Sequence, residues 1–310
     1  MSGTGRFTKD VMTAAMHQVA GDLRVRADDA RLLRFTNNAV FALPSAGVVI
    51  RIARSHRLHQ RVHKVIELGR WFEQIDAPTI RLAPEIVQPV QVGELLASIW
   101  QYIPSASPEP TVDDLGRTLR KFHSLSGPPL SLPSWDPVGD ARSRITDAEG
   151  LSDHDRRFLL DWCDRLDRPV AALQQHVGSQ LIHGDAHVGN LLRKRAGGAV
   201  LCDFDATSLG PWQVDLAAVA VGEVRFGRRG AHDALAAAYG YDVTADSNWS
   251  LLRDARELKM IAAAVPLLHS STGVREEFTA RLRSVRHGDR DARWTPFAEV
   301  APSQIANVAS

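Results

Sequence analysis

Leu181-Ile-His-Gly-Asp-Ala-His-Val-Gly-Asn-Leu-Leu192 and Leu201-Cys-Asp-Phe-Asp205 are the two stretches that decide how this chain is read. Apolar pairs flank polar groups in both: Leu181-Ile182, Leu191-Leu192 and Val200-Leu201. That alternation predicts short buried strands that hold a polar loop between them. Asp185 and Asn190 are five residues apart, and Asp203 follows Asn190 by thirteen. A carboxylate, an amide oxygen and a second carboxylate are the groups a phosphoryl-transfer site needs. The first accepts the proton of an attacking hydroxyl, and the other two are hard oxygen ligands for the magnesium that bridges nucleotide phosphates. The spacing therefore predicts Asp185 as base, Asn190 and Asp203 as metal ligands, and Asp205 as a residue for a second ion or for positioning the loop. His183 is expected to brace the loop, and Gly184 to permit its tight backbone. Two other readings compete. Gly, His, Asp and Asn are ordinary turn residues. His183, Asp185 and His187 could also ligate zinc, but that reading leaves Asn190 and the second stretch without a role.

Composition narrows the class. The chain has 310 residues, 44% apolar and 24% charged, with a formal net charge of +1. These are values of a soluble globular protein and give no electrostatic footprint for nucleic acid. No apolar run approaches the roughly 20 residues of a membrane span, and the N-terminus lacks the apolar segment of a signal peptide. The two cysteines, Cys163 and Cys202, are expected to be free thiols in a reducing cytoplasm. Neither a nucleic-acid nor a membrane partner is expected, and the protein is expected to be a monomer or homodimer.

Working outward, helical spacing covers residues 7–20. Strand-like runs follow at Ala30–Phe35, Ala39–Leu43 and Val48–Ile52, closely enough spaced for an antiparallel meander. A basic helix is predicted from about Ser55 to Ile75, then strands near Ile86–Gln91 and Leu95–Tyr102. Ile103-Pro-Ser-Ala-Ser-Pro-Glu-Pro110 reads as a linker. Thr111 and Asp114 form a capping-box pattern that opens a helix, the proline-rich stretch 124–139 reads as loop, and Ser152 opens a helix to about His176. Further helices are predicted over 212–226, 230–239, 248–269 and 273–286. The division expected is a nucleotide-binding lobe over 1–103, with 7–20 as its leading helix, and a helical lobe over 104–310 with the catalytic loop and acceptor site.

These residues resemble the aminoglycoside phosphotransferase and choline kinase superfamily, relatives of protein kinases. The family's His-Gly-Asp-x-His-x-x-Asn loop is complete as His183, Gly184, Asp185, His187 and Asn190. Its Asp-Phe-x segment matches Asp203-Phe204-Asp205, and its Gly-Pro-x-x-x-Asp-Leu-Ala stretch matches Gly210-Pro211 with Asp215-Leu216-Ala217. Its Leu-Gly-x-x-Leu-x-x-Phe-His helix matches Leu115-Gly116 through Phe122-His123. The resemblance implies an α+β, bilobal protein-kinase-like fold, with a small antiparallel-sheet N-lobe and a larger, mainly helical C-lobe. It also implies a nucleotide, ATP or GTP, with Mg2+, and a hydroxyl acceptor on an aminoglycoside-like antibiotic, where the outcome is resistance, or on another small metabolite.

The N-lobe departs from the family pattern. Arg51 stands where the family has a phosphate-binding Lys, keeping the charge but changing its geometry. Glu67 is the helix acid offered as its partner. There is no Gly-rich phosphate loop. Thr36-Asn37-Asn38 takes that place, and Gln101 and Tyr102 fall where the hinge strand offers backbone groups to the base. These departures keep a second reading open, a catalytically silent kinase-like module that binds a nucleotide or another ligand. Charge does not name the acceptor. Residues 136–167 hold nine acids against five arginines, but 271–294 hold six arginines against four acids.

Overall fold

A computed structural model describes residues 7–35, 38–53, 59–269 and 271–300. In chain order the helices and strands are α1 (Lys9–Asp22), β1 (Arg31–Phe35), β2 (Asn38–Leu43), β3 (Val48–Ala53), α2 (His59–Gln74), β4 (Val90–Val92), β5 (Leu95–Gln101), α3 (Val112–His123), α4 (Pro137–Thr146) and α5 (Asp153–Val177). Then come β6 (Gln180–Ile182), β7 (Leu191–Arg193), β8 (Ala199–Leu201), β9 (Ser208–Gly210), α6 (Gln213–Phe226), α7 (Ala231–Tyr239), α8 (Trp249–Ala262), α9 (Thr272–Arg286) and the short α10 (Phe297–Val300). The chain packs as two compact units. One is Met1–Leu132 with Val188–Thr207, and the other is Pro133–His187 with Ser208–Ser310.

The first unit is built on an antiparallel sheet of order β1-β2-β3-β5-β4. Alternation in β2 and β3 decides its faces. Ala39, Phe41, Leu43, Val48, Ile50 and Ile52 join Met12, Met16 and Val19 of α1 in one core. Val40 and Arg51 pair with each other across β2 and β3 and stand on the opposite face. The strand expected at Ile86–Gln91 is displaced to Val90–Val92. Gln88 explains the displacement. Its side-chain amide accepts from Ile99 N–H at 2.7 Å and donates to Ile99 C=O at 3.0 Å, so a side chain takes the place of a backbone ladder.

α3 begins as its capping box predicts: the Thr111 side chain accepts from Asp114 N–H, and the Asp114 carboxylate accepts from Thr111 N–H. The hairpin β7–β8 belongs to the same unit and pairs Leu191 with Leu201. Its turn needs Gly197 and Gly198, whose φ values are +93° and +78°.

The second unit is mainly helical, with β6 and β9 as a two-stranded antiparallel pair. Its core joins Ile145 of α4, Trp162 and Cys163 of α5, Leu258 and Ile261 of α8 and Phe278 and Leu282 of α9. The segment read as loop over 124–139 ends in α4, with Pro137 in its first turn and the Asp136 side chain accepting from Gly139 N–H at 2.7 Å. Neither cysteine is in a disulfide, and burial pushes the Cys202 thiol up to about 12. Among the described residues no helix is long and apolar enough to cross a membrane.

Candidate active site

In the first unit the hairpin β7–β8 brings the two expected metal ligands together. Asn190 immediately precedes β7 and Asp203 follows β8, and Cys202 N–H donates to the Asn190 carbonyl at 2.9 Å. Asn190 is buried, and Asp203 sits at φ +67°. An aspartate tolerates that left-handed conformation, and such outliers persist where the surroundings fix them. Here the fixing group is Phe204, fully buried with its ring centroid 5.0 Å from Phe72 and 6.2 Å from Trp100. An aromatic anchor between two carboxylates thus directs Asp203 and Asp205 outward from the core.

Cations meet these carboxylates. Arg51 Nη2 lies 3.2 Å from Asp203 Oδ1 and 2.5 Å from Asp205 Oδ2. Arg34 Nη1 lies 2.6 Å from Asp203 Oδ2. Asn38 Nδ2 donates to Asp205 Oδ2 at 3.0 Å, and Lys64 Nζ donates to the carbonyls of Asp205 and Thr207, each at 2.8 Å. Burial alone would raise the Asp205 pKa, but the Arg51 charge and the hydrogen bonds from Arg51 and Asn38 hold it below its ordinary value.

The expected partnership of Arg51 with Glu67 is absent. Glu67 is exposed on α2, and among the described residues it has no ion pair. Lys64, one turn earlier on α2, is half-buried and faces the cluster instead. Sequence reading missed Arg34 and Lys64. Thr36 and Asn37, expected over the phosphates, lie outside the described residues. Of the residues expected at the base, Gln101 N–H donates to Arg81 C=O and Tyr102 N–H to Gly47 C=O, at 2.9 and 2.8 Å. Trp100 is buried core.

The donor chemistry fits magnesium. An amide oxygen from Asn190 and a carboxylate from Asp203 flank one hairpin, both hard oxygen ligands. Zinc draws mainly on His nitrogen and Cys sulfur, with carboxylates completing the set. Among the described residues no three His, Cys, Asp or Glu side chains are grouped to hold a metal ion.

The second unit holds His183, Asp185 and His187. Asp215, in the first turn of α6 and fully buried, accepts from His183 N–H at 2.7 Å and Gly184 N–H at 2.8 Å. One carboxylate therefore ties down the backbone just before Asp185, and Gly184 makes the bend at φ +78°. His183 is fully buried, and its Nδ1 accepts from Asp185 N–H at 3.3 Å.

Asp185 faces α8, which sequence reading left without a part in the site. Arg256 Nη1 is 3.4 Å and Lys259 Nζ 3.7 Å from the same oxygen, Asp185 Oδ1. Lys259 also donates to the Gly184 carbonyl at 2.6 Å. His187 Nε2 lies 3.9 Å from the other oxygen, Oδ2. Desolvation would raise the Asp185 pKa, but Lys259 and Arg256, with His187 and His183, hold it well below the usual carboxylate range. Burial lowers the Lys259 pKa, against the pull of Asp185. The only sequence signal for these cations was Arg253, Arg256 and Lys259 recurring every three residues.

The profile of the phosphotransferase enzyme family matches residues 13–255. No curated protein sequence matches the chain. Solved structures share its fold at low identity. An amicoumacin kinase, hAmiN, in complex with AMP-PNP, Ca2+ and Ami has 12% identity and a TM-score of 0.70, covering 94% of this chain and 100% of its own. The aminoglycoside phosphotransferase APH(3'')-Id from Streptomyces rimosus has 15% identity and a TM-score of 0.60, covering 80% of this chain and 98% of its own. The choline kinase LicA from Streptococcus pneumoniae has 13% identity and a TM-score of 0.62, covering 88% and 99%. With a five-stranded antiparallel sheet, a helical remainder and a family match over most of its length, the chain belongs to the phosphotransferase enzyme family, on a protein-kinase-like fold.

Proposed function

We propose that this phosphotransferase moves the γ-phosphoryl group of ATP or GTP to a hydroxyl of a small molecule, an aminoglycoside-like antibiotic or another small metabolite. Residues 1–103 serve the nucleotide, and 104–310 carry the catalytic loop and acceptor site. Asp185 is the base that orients the acceptor hydroxyl and takes its proton. His183 braces that loop. Asn190 and Asp203 would hold Mg2+, with Asp205 beside them, and the ion would supply neutralisation of the phosphate charge. Arg51 and Asn38 stand at the phosphates, and Gln101 and Tyr102 stand at the base through their carbonyls, since their N–H groups are bonded to Arg81 and Gly47. The observation that carries the reading is the hold on Asp185. Its carboxylate is kept ionised by Arg256 and Lys259, on a loop whose backbone is tied to buried Asp215.

The test is phosphate incorporation from labelled ATP and GTP into a panel of hydroxylated antibiotics and metabolites, with and without Mg2+. Magnesium-dependent labelling of one acceptor class supports the reading. Absence of labelling, with no thermal shift by either nucleotide, favours a silent binding module. Arg51 bound to Asp203 and Asp205 is the observation on that module's side.

A pH dependence follows. Because the folded pKa of Asp185 is depressed, its ionised form and the stability it brings persist above the unfolded value, about 3.9 for Asp, and are lost only as pH falls through the lower folded value. The acid limb of kcat/KM assigned to Asp185 should therefore lie below the ordinary carboxylate range. Lys259→Met should move that limb upward, since it removes the largest charge acting on Asp185. A limb unmoved by Lys259→Met would assign it to another group.

A further inference from the structure

Arg34 and Arg51 form a row. Across the sheet Arg34 pairs with Val40, and Val40 pairs with Arg51, so the three residues share one face on three neighbouring strands. Arg34 reaches this face through a β-bulge. Leu32 pairs with Phe41, and a regular ladder would then set Arg34 opposite Ala39, in the row that points into the core. The register shift between Leu32 and Arg34 moves it opposite Val40 instead. Bulges re-aim a side chain in this way, and they recur beside active sites.

Both arginines meet Asp203, one on each oxygen. Their circumstances differ. Arg51 is 13% exposed and bridges two carboxylates, so withdrawing it would leave buried charge uncompensated. Arg34 is 44% exposed and holds Asp203 alone. A metal ion that takes Asp203 as ligand competes with these guanidinium donors for the same lone pairs, and Arg34 is the one that can give way at little cost. Cations also outnumber acids here, with Arg34, Arg51 and Lys64 gathered around Asp203 and Asp205. That surplus suits a polyphosphate.

We infer that Arg34 is a phosphate-binding residue: its guanidinium, aimed by the β1 bulge and held by Asp203, engages the phosphate oxygens of the nucleotide once Asp203 serves a metal ion. This rests on the reading of Asp203 as a metal ligand given under Proposed function. A planar guanidinium suits two phosphate oxygens at once, which an ammonium cannot match.

Calorimetry on the full chain tests the inference. Arg34→Ala should weaken ATP–Mg2+ binding about tenfold to a hundredfold, as expected for a lost charge-assisted hydrogen bond. Adenosine binding should be unchanged, and Arg34→Lys should recover only part of the loss. With Mn2+ alone, Arg34→Ala should bind more tightly than wild type, because a competitor for Asp203 is gone. Unchanged ATP–Mg2+ affinity in Arg34→Ala, or an equal loss for adenosine, overturns the inference and leaves the wider reading intact. A wild-type protein that binds no nucleotide with Mg2+ overturns both. Thermal unfolding of each variant reports whether the fold is kept, and an exposed ion pair contributes too little to threaten it.

Discussion

Asp185→Asn is expected to lower kcat by about 10²–10⁴-fold, the usual contribution of a positioned general base. The amide keeps the shape of the carboxylate but cannot take a proton, and it offers Arg256 and Lys259 no charge. Loose phosphoryl transfer needs the base mainly to orient the hydroxyl, so the loss should appear equally in kcat and kcat/KM. Nucleotide affinity should stay near wild type, because the residues proposed to contact the phosphates, Arg51 and Asn38, are bonded to Asp203 and Asp205 and not to Asp185. The fold should also hold. The Asp185 side chain is 41% exposed, and a partly exposed ion pair contributes little to stability. Steady-state kinetics with the acceptor found by labelling, alongside nucleotide binding, measures both quantities. Turnover near wild type would remove Asp185 from the role of base.

The parts legible from sequence were those in which local chemistry and period agree. The strand-like runs Ala39–Leu43 and Val48–Ile52 declared β2 and β3, and Thr111 with Asp114 declared a helix start, because both signals are local and both are used as written. Apolar pairs at Leu191-Leu192 and Val200-Leu201 gave strands for the same reason, though not their pairing as the hairpin β7–β8. What escaped was set by tertiary placement. Arg34 is one of two arginines in β1, and only the bulge, which no residue in the strand announces, puts it on the face of Arg51. Arg256 and Lys259 fell in a helix predicted over 248–269 with no role attached, and α8 turns them toward the carboxylate of Asp185. Glu67 had the right charge at the wrong helical phase, so Lys64 faces the cluster in its place. Proline over 124–139 suggested loop, although Pro137 is a good first-turn residue behind the cap at Asp136.

The placement of α8 leads to the second large effect. Glu257 is fully buried, between Arg256 and Lys259 in sequence, and accepts from Arg225 Nε at 3.0 Å and Arg253 Nε at 3.0 Å, with Arg290 Nη1 at 3.4 Å. Arg225 is fully buried too. It also donates to the carbonyls of Asp289 and Ala292, each at 3.0 Å, and packs 4.4 Å over the Trp294 ring. One acid thus anchors α6, α8 and the segment after α9. Glu257→Ala should cost about 3–5 kcal/mol, since it leaves the Arg225 charge buried without its counter-ion. At about 2–4 °C per kcal/mol for a unit of this size, the melting temperature should fall by on the order of 10 °C. Pairing the change with Arg225→Met should restore part of the loss, because the stranded charge goes with it. Thermal unfolding of both single variants and the double variant closes the cycle. A fall of only a degree or two in Glu257→Ala would mean that water or Asp254 takes over the arginines. α8 would then be held at Asp185 by its apolar face, Leu252, Ala255, Leu258 and Ile261, and not by charge.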